Sequence, residues 1–163
     1  MIQETHDDDD SQITLVEDLF SNDFKAFQSA LSSQAGGLLT LIPTEFFSSF
    51  QSHSVVHIIH GRLFAIILRA SVGGFVIVNV HVEGDDFRGT DGKLNFLRRL
   101  SCFLNDFRDF AIYVGGDFNF VTEFAGRVSL RRGTLCGNPG RVHQEWVDLF
   151  PYLVEHVQDV KTI

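Results

Sequence analysis

Cysteine, proline and basic side chains are all scarce in this chain, and each shortage removes a class of protein. Cys102 and Cys136 are the only two cysteines among 163 residues, one in an expected helix and one in an expected loop. Two thiols so placed make neither a disulfide framework nor a CxxC metal site, so both are read as free. Only 3 prolines occur, and with 44% hydrophobic and 21% charged residues the composition is that of a globular domain and not of a disordered tail. No apolar run approaches the ~18 residues needed to cross a bilayer. The opening "MIQETHDDDD" lacks the basic end followed by an apolar stretch that marks a secretory signal, which favours an intracellular setting, nuclear or cytoplasmic. Lysine and arginine number 13 against 21 acids, a formal charge of -8 that argues against simple electrostatic capture of nucleic acid.

What is present is unevenly spread. Acids crowd the first two dozen residues, including the run Asp7 to Asp10, while nearly all basic residues fall between Arg62 and Arg141. In "GRVSLRRGTLCGNPGR" the side chains of Arg127, Arg131, Arg132 and Arg141 have no acid among them, a local basic patch read as a loop. Such a patch can grip a phosphate backbone or stand as an inert solvated loop. Seventeen phenylalanines require an extensive apolar partner surface.

The runs "LLTLIP", "VVHIIH", "RLFAIILRA", "GGFVIVNVH" and "FAIYVGG" are short, rich in β-branched and aromatic residues, and bounded by glycine, serine or charge, so they predict strands. Tight joins at His60-Gly61 and Gly73-Gly74 predict antiparallel neighbours. From Lys93 to Phe107 the apolar residues Phe96, Leu97, Leu100, Phe103, Leu104 and Phe107 recur at three and four residue intervals, a helix with Arg98, Arg99, Asn105 and Asp106 outward and Thr90 or Asp91 as its cap. A last helix is expected from Val142 through Trp146 and Val147, broken at Pro151. "FKAFQSAL" fits a helix or a strand. With no internal repeat or composition break, residues 1–163 read as one mixed α/β domain of α+β type, since the hairpin joins leave no room for a purely parallel sheet.

Chemistry-bearing residues stand where apolar runs stop: Glu4 in "IQETH", Asn79 and His81 in "VIVNVHVE", Asp117 and Asn119 in "GGDFNF". Magnesium is held by one or two carboxylates together with waters and a substrate phosphate, a role open to Glu4. Equally, a glutamate near a chain start is a solvated surface charge. The run Asp7 to Asp10 lacks the spaced oxygens and glycine of an EF-hand. Asp117 and Asn119, two apart, point the same way if the backbone stays extended. There a carboxylate orients or deprotonates a water and an amide donates to a phosphate oxygen; the competing explanation is a capped turn. His81 is either a half-buried strand-end residue or a phosphate-side donor, with Asn79 on the same face to fix its imidazole. His57 and His60 are explained by an amphipathic strand beside Gly61.

In order, "IQETH", "AGGLLTLIP", "GRLFAIIL", "FVIVNVHVE", an amphipathic helix and "YVGGDFNF" resemble the endonuclease/exonuclease/phosphatase superfamily, and most of all the DNase I-like, apurinic-endonuclease-like domains of LINE-type retrotransposons. The resemblance covers nearly the whole chain. It implies two facing, mostly antiparallel mixed sheets with helices outside, four layers in all, and hydrolysis of phosphodiesters in DNA or another phosphate ester with Mg2+ or Mn2+. By position Glu4 matches the metal-binding glutamate, Asp117 the residue that activates water, and Asn119 the phosphate-contacting amide. His81 stands where apurinic endonucleases have tyrosine and other branches histidine. The family's initial asparagine strand and terminal Asp-His pair have no counterpart here, so the resemblance implies a domain truncated at both ends. Two functional expectations follow: a metal-dependent nuclease-type hydrolase, or a non-catalytic remnant with weak phosphate or nucleic-acid binding. A flavodoxin-like nucleotide-binding domain would require a glycine-rich loop after a first strand, which is missing. No obligate protein partner is implied.

Overall fold

A computed structural model describes residues 1–3, 5, 13–14, 18–19, 23–30, 37–82, 89–118, 128–129, 134–135 and 141–151. The chain divides into two compact units, one of residues 1–83 and 103–118 and one of residues 84–102 and 119–163.

The first unit is a sandwich of two sheets. β1 (Ile2–Gln3), β3 (Leu38–Pro43) and β2 (Phe24–Ser29) form an antiparallel sheet in that spatial order. The residues 24–29, whose spacing allows a helix, are a strand because all six pair with β3, from Phe24 opposite Pro43 to Ser29 opposite Leu38. Ladder hydrogen bonds and a shared apolar face override a weak local preference. The second sheet runs β4 (Ser52–Ile59), β5 (Leu63–Arg69), β6 (Gly74–His81), β7 (Ala111–Asp117). Its first two joins are antiparallel hairpins at the expected places, with a bulge between His57 and Ile59. β6 and β7 are parallel, so a crossover must separate them, and the helix Gly89–Asn105 lies within that connection. Between β3 and β4 sits the short helix α1 (Thr44–Ser48).

The sheets meet through Leu38 and Ile42 on one side and Phe64, Ile66 and Leu68 on the other, with Phe27, Phe47, Phe50, Val55, Phe75 and Ile77 around them. All six apolar residues Leu63 to Leu68 of β5 are buried, on both faces of the sheet. That is why "RLFAIILRA" reads as an unbroken apolar run where a half-exposed strand would alternate.

The second unit holds most of α2 (Gly89–Asn105), the pair β8 (Val128–Ser129) and β9 (Thr134–Leu135), and α3 (Arg141–Leu149). Leu94, Phe96, Leu97 and Leu100 of α2 are buried at helical spacing, and Arg98 and Arg99 are exposed as their register demands. The helix begins one residue before the expected caps, leaving Thr90 and Asp91 inside its first turn. There Asp91 favours the positive end of the helix dipole. The side chains of Arg98 and Glu145 join α2 to α3 at 2.8 Å, and Trp146 packs on Phe150 with ring centroids 4.8 Å apart. The fold class is therefore α+β, with mostly antiparallel strands and one parallel join. No helix among the described residues is long and apolar enough to cross a membrane.

Candidate functional site

One end of the sandwich collects the chemistry-bearing residues, because strands of both sheets stop there together. The parallel register sets His81 opposite Asp117 and Asn79 opposite Gly115, so the carboxyl ends of β6 and β7 finish level. Backbone bonds sew this rim across the two sheets. The amide of Thr5 donates to Gly37 O at 3.4 Å, and the amide of Gly37 to Gly61 O at 3.2 Å. Further along, His81 N donates to Arg62 O and Val82 N to Asp117 O, each at 2.8 Å. The rim thus runs from Thr5, one residue past Glu4, through Gly37, Gly61, Arg62 and His81 to Asp117.

Asp117 is exposed at the end of β7 and follows Gly116, whose φ of 136° is a backbone conformation that side-chain-bearing residues rarely adopt. A β-carbon at residue 116 would fall on the Val80 carbonyl oxygen, so β7 can approach β6 this closely only with glycine there. The two glycines of "YVGGDF" therefore have separate uses: Gly115 lies against the side chain of Met1, just before β1, and Gly116 against β6.

His81 is 3% exposed, and its Nδ1 lies 3.0 Å from an Nη of Arg62. A guanidinium only donates, so Nδ1 accepts this bond and the neutral ring carries its proton on Nε2. The expected partner of the imidazole, Asn79, is occupied elsewhere. Its amide donates to Leu39 O at 3.2 Å and Thr40 Oγ1 at 3.0 Å, tying β6 to β3 across the sandwich. Because the strand is buried on both sides here, Asn79 bonds to the facing sheet and not to its neighbour two residues on. Its Oδ1 is buried with no hydrogen-bond partner.

Arg62 is the rim residue that the sequence reading passed over. It is only 9% exposed, and among the described residues its side chain bonds to His81 and pairs with no carboxylate. An uncompensated buried cation is costly to a fold, by several kcal/mol in order of magnitude. Arg62 stands at the rim as the first residue after the hairpin glycine. The one available signal was its position in "HGRL", an arginine leading a fully apolar strand.

No protein-family model and no curated protein matches the chain.

Of the other expected site residues, Glu4, Asn119, Arg127, Arg131 and Arg132 lie outside the described residues, as do Asp7 to Asp10 and Cys136. Arg141, placed by its sequence in a basic loop, instead opens α3 and lies 3.4 Å from the Asp91 carboxylate. Both side chains are exposed, so the pair is screened and contributes little. The free thiol of Cys102 is exposed on α2. Among the described residues no three of histidine, cysteine, aspartate or glutamate are grouped to hold a metal ion.

Beside the rim, His57 Nδ1 lies 2.8 Å from Ser29 Oγ, and the same oxygen accepts the Gly61 amide at 3.0 Å. The His57 and His60 rings stack within 2° of parallel, with centroids 5.0 Å apart. Burial holds the His57 imidazole below its usual pKa, and the neighbouring His60 lowers it further. Both histidines are exposed, as an amphipathic strand beside Gly61 requires.

Proposed function

We propose that the chain is a metal-dependent phosphodiester hydrolase of the endonuclease/exonuclease/phosphatase type, acting on DNA or a related phosphate ester. The observation that carries this reading is the buried guanidinium of Arg62, unpaired with any carboxylate among the described residues and set against His81, which is level with Asp117. A tetrahedral oxyanion supplies the missing negative charge, and guanidinium matches phosphate geometry with paired donors.

In this arrangement Asp117 takes the proton of the attacking water as its oxygen bonds to phosphorus. The bond to the leaving alcohol oxygen breaks on the opposite side, and that oxygen takes up a proton from solvent. The Arg62 guanidinium beside His81 stabilises the charge that grows on the phosphate oxygens. Magnesium, when bound, supplies charge neutralisation at the phosphate. A single exposed carboxylate at the rim fits the habit of that ion, which takes one or two carboxylates and completes its shell with water and phosphate. Glu4 is the second carboxylate that the proposal assigns to it.

The test is magnesium-dependent nicking of supercoiled plasmid by the chain expressed in its native reading frame. Asp117→Ala should lower the rate by roughly 10²–10⁴-fold, the usual worth of a positioned general base. Intact plasmid under these conditions rejects the hydrolase. Should sulfate still bind in calorimetry, and be lost in Arg62→Met, the chain is a non-catalytic oxyanion binder.

A further inference from the structure

Ser29 lies on β2, wholly buried, in the sheet opposite the one that carries Arg62. Its hydroxyl oxygen accepts the Gly61 amide, and Gly61, with φ 65°, is the residue that turns the chain into Arg62. The same hydroxyl lies 2.8 Å from His57 Nδ1. We propose that Ser29 and His57 form a proton-sensitive clamp on the Gly61 turn, holding the Arg62 guanidinium against His81 and releasing it on acidification. This rests on the assignment of Arg62 as the oxyanion receptor and adds regulation to that site.

The argument is one of donors and acceptors. With His57 neutral and its proton on Nε2, the Ser29 O–H donates to Nδ1 and the Ser29 oxygen accepts from Gly61 N, so every group is satisfied. A protonated His57 carries N–H on both nitrogens, and Nδ1 can then only donate. Ser29 would have to accept twice and leave its own hydroxyl hydrogen unpaired in a fully buried position, which is unfavourable. The network therefore selects neutral His57, in the same direction as the burial and the stacked His60.

The surroundings of His57 are simple. His60 from the turn, Phe64 from β5 and Ser29 from β2 contact it, and His60 is the one titratable group among these. Among the described residues neither histidine has a carboxylate partner, and both are exposed to solvent.

The consequence runs to the rim. Gly61 O also accepts the Gly37 amide, whose residue in turn accepts from Thr5. Loosening the Gly61 amide therefore slackens both the turn that delivers Arg62 and the seam between the sheets. Arg62 then loses its fixed approach to the oxyanion. Ser29 and His57 are positioning residues, acting through the Gly61 turn and touching no reacting group.

The test follows the Gly61 amide proton by NMR from pH 7.5 to 5, alongside sulfate affinity by calorimetry, since sulfate keeps its charge over this range. The wild-type Gly61 resonance should titrate, and sulfate affinity should fall at least ~3-fold more than in His57→Asn. Asparagine offers an acceptor near the Nδ1 position and does not titrate, so its Gly61 resonance should move less than that of the wild type. Ser29→Ala should remove the dependence and speed Gly61 amide exchange at every pH. A Gly61 resonance that titrates identically in wild type and His57→Asn, or equal affinity losses in the two, overturns the clamp. A titrating Gly61 amide with no sulfate binding at any pH would instead retain the clamp and reject the Arg62 receptor.

Discussion

Replacing Gly116 by alanine is the sharpest available test of how the rim is built. Two costs combine at that residue. Its φ of 136° is strained for any residue with a β-carbon. The added methyl would also overlap the Val80 carbonyl oxygen and come within 2.8 Å of the Val80 carbon and nitrogen. These are backbone atoms of the neighbouring parallel strand, so no side-chain rotation relieves them and β7 must move off β6. Strain at an incompatible φ costs more than about 1 kcal/mol, and overpacking in a fixed environment about 1–3 kcal/mol, so the sum is about 2–4 kcal/mol. Urea unfolding followed by tryptophan fluorescence and by far-ultraviolet circular dichroism should show the midpoint falling with little change in slope. The shift should be larger by circular dichroism, to which the strands of the first unit contribute, than by fluorescence of the single tryptophan, Trp146, which lies in the second unit. Gly115→Ala supplies the contrast, because its β-carbon would meet the Met1 sulfur at 3.1 Å, the end of a flexible side chain that can turn aside, and the Tyr113 ring at 3.1 Å. A Gly116→Ala protein within about 0.5 kcal/mol of wild type, the range of ordinary surface substitutions, would show that the close β6–β7 approach is not what glycine is there for.

Three further outcomes follow from the same geometry. Asn79→Ala removes the two donor contacts to Leu39 O and Thr40 Oγ1 and leaves them buried, so it should destabilise by about 1–3 kcal/mol in chemical denaturation. In Arg62→Met an uncompensated buried charge is exchanged for an apolar chain of similar length. Thermal unfolding should show a midpoint equal to or above wild type, while calorimetry shows sulfate binding lost; a large drop in the midpoint would mean that Arg62 is a structural residue. Because the His57 pKa is lowered in the folded chain, the unfolded chain binds more protons between that lowered value and the ordinary imidazole value of 6.5. Stability should therefore fall as pH drops below about 6.5 and stop falling, for this group, once folded His57 also protonates. The difference in thermal midpoint between wild type and His57→Asn should widen across that window and not above it.

Much of the sheet was legible because short apolar runs with glycine punctuation mark strands and hairpins wherever pairing is between sequence neighbours. β4, β5 and β6 needed nothing more than "VVHIIHGRLFAIIL" and Gly73-Gly74. The helix from Lys93 was equally plain, since burial of Leu97, Leu100 and Leu104 repeats its period. β2 was not, because what decides between helix and strand for "FKAFQSAL" is the ladder to Leu38–Pro43, a contact no local window contains. The site divides the same way. Asp117 and His81 stand at strand ends and could be read from their position, and the register brings them level. The partner of the imidazole could not be read. Asn79 shares its face and is the local choice, yet it bonds to Leu39 and Thr40 forty residues away on the facing sheet, and Arg62 arrives from the adjacent strand. Side-chain pairing across strands depends on which faces are buried, and β6 is buried on both. Ser29 is the extreme case: a serine in an ambiguous segment, given meaning only by His57 and Gly61 from another sheet.

The seam that joins Thr5, Gly37 and Gly61 is made of peptide groups alone. Nineteen of the twenty amino acids carry the amide such a stitch requires, so the side chain at residue 5 can be exchanged without undoing the join, whereas Gly37 and Gly61, with φ of 108° and 65°, hold torsion angles that a β-carbon strains. Proline is the exception: placed at 5 or 37 it deletes a donor outright. The stitch is therefore indifferent to sequence identity at residue 5 but not at 37 and 61, and a saturation scan should find broad tolerance short of proline at the first and little tolerance for any β-carbon at the other two.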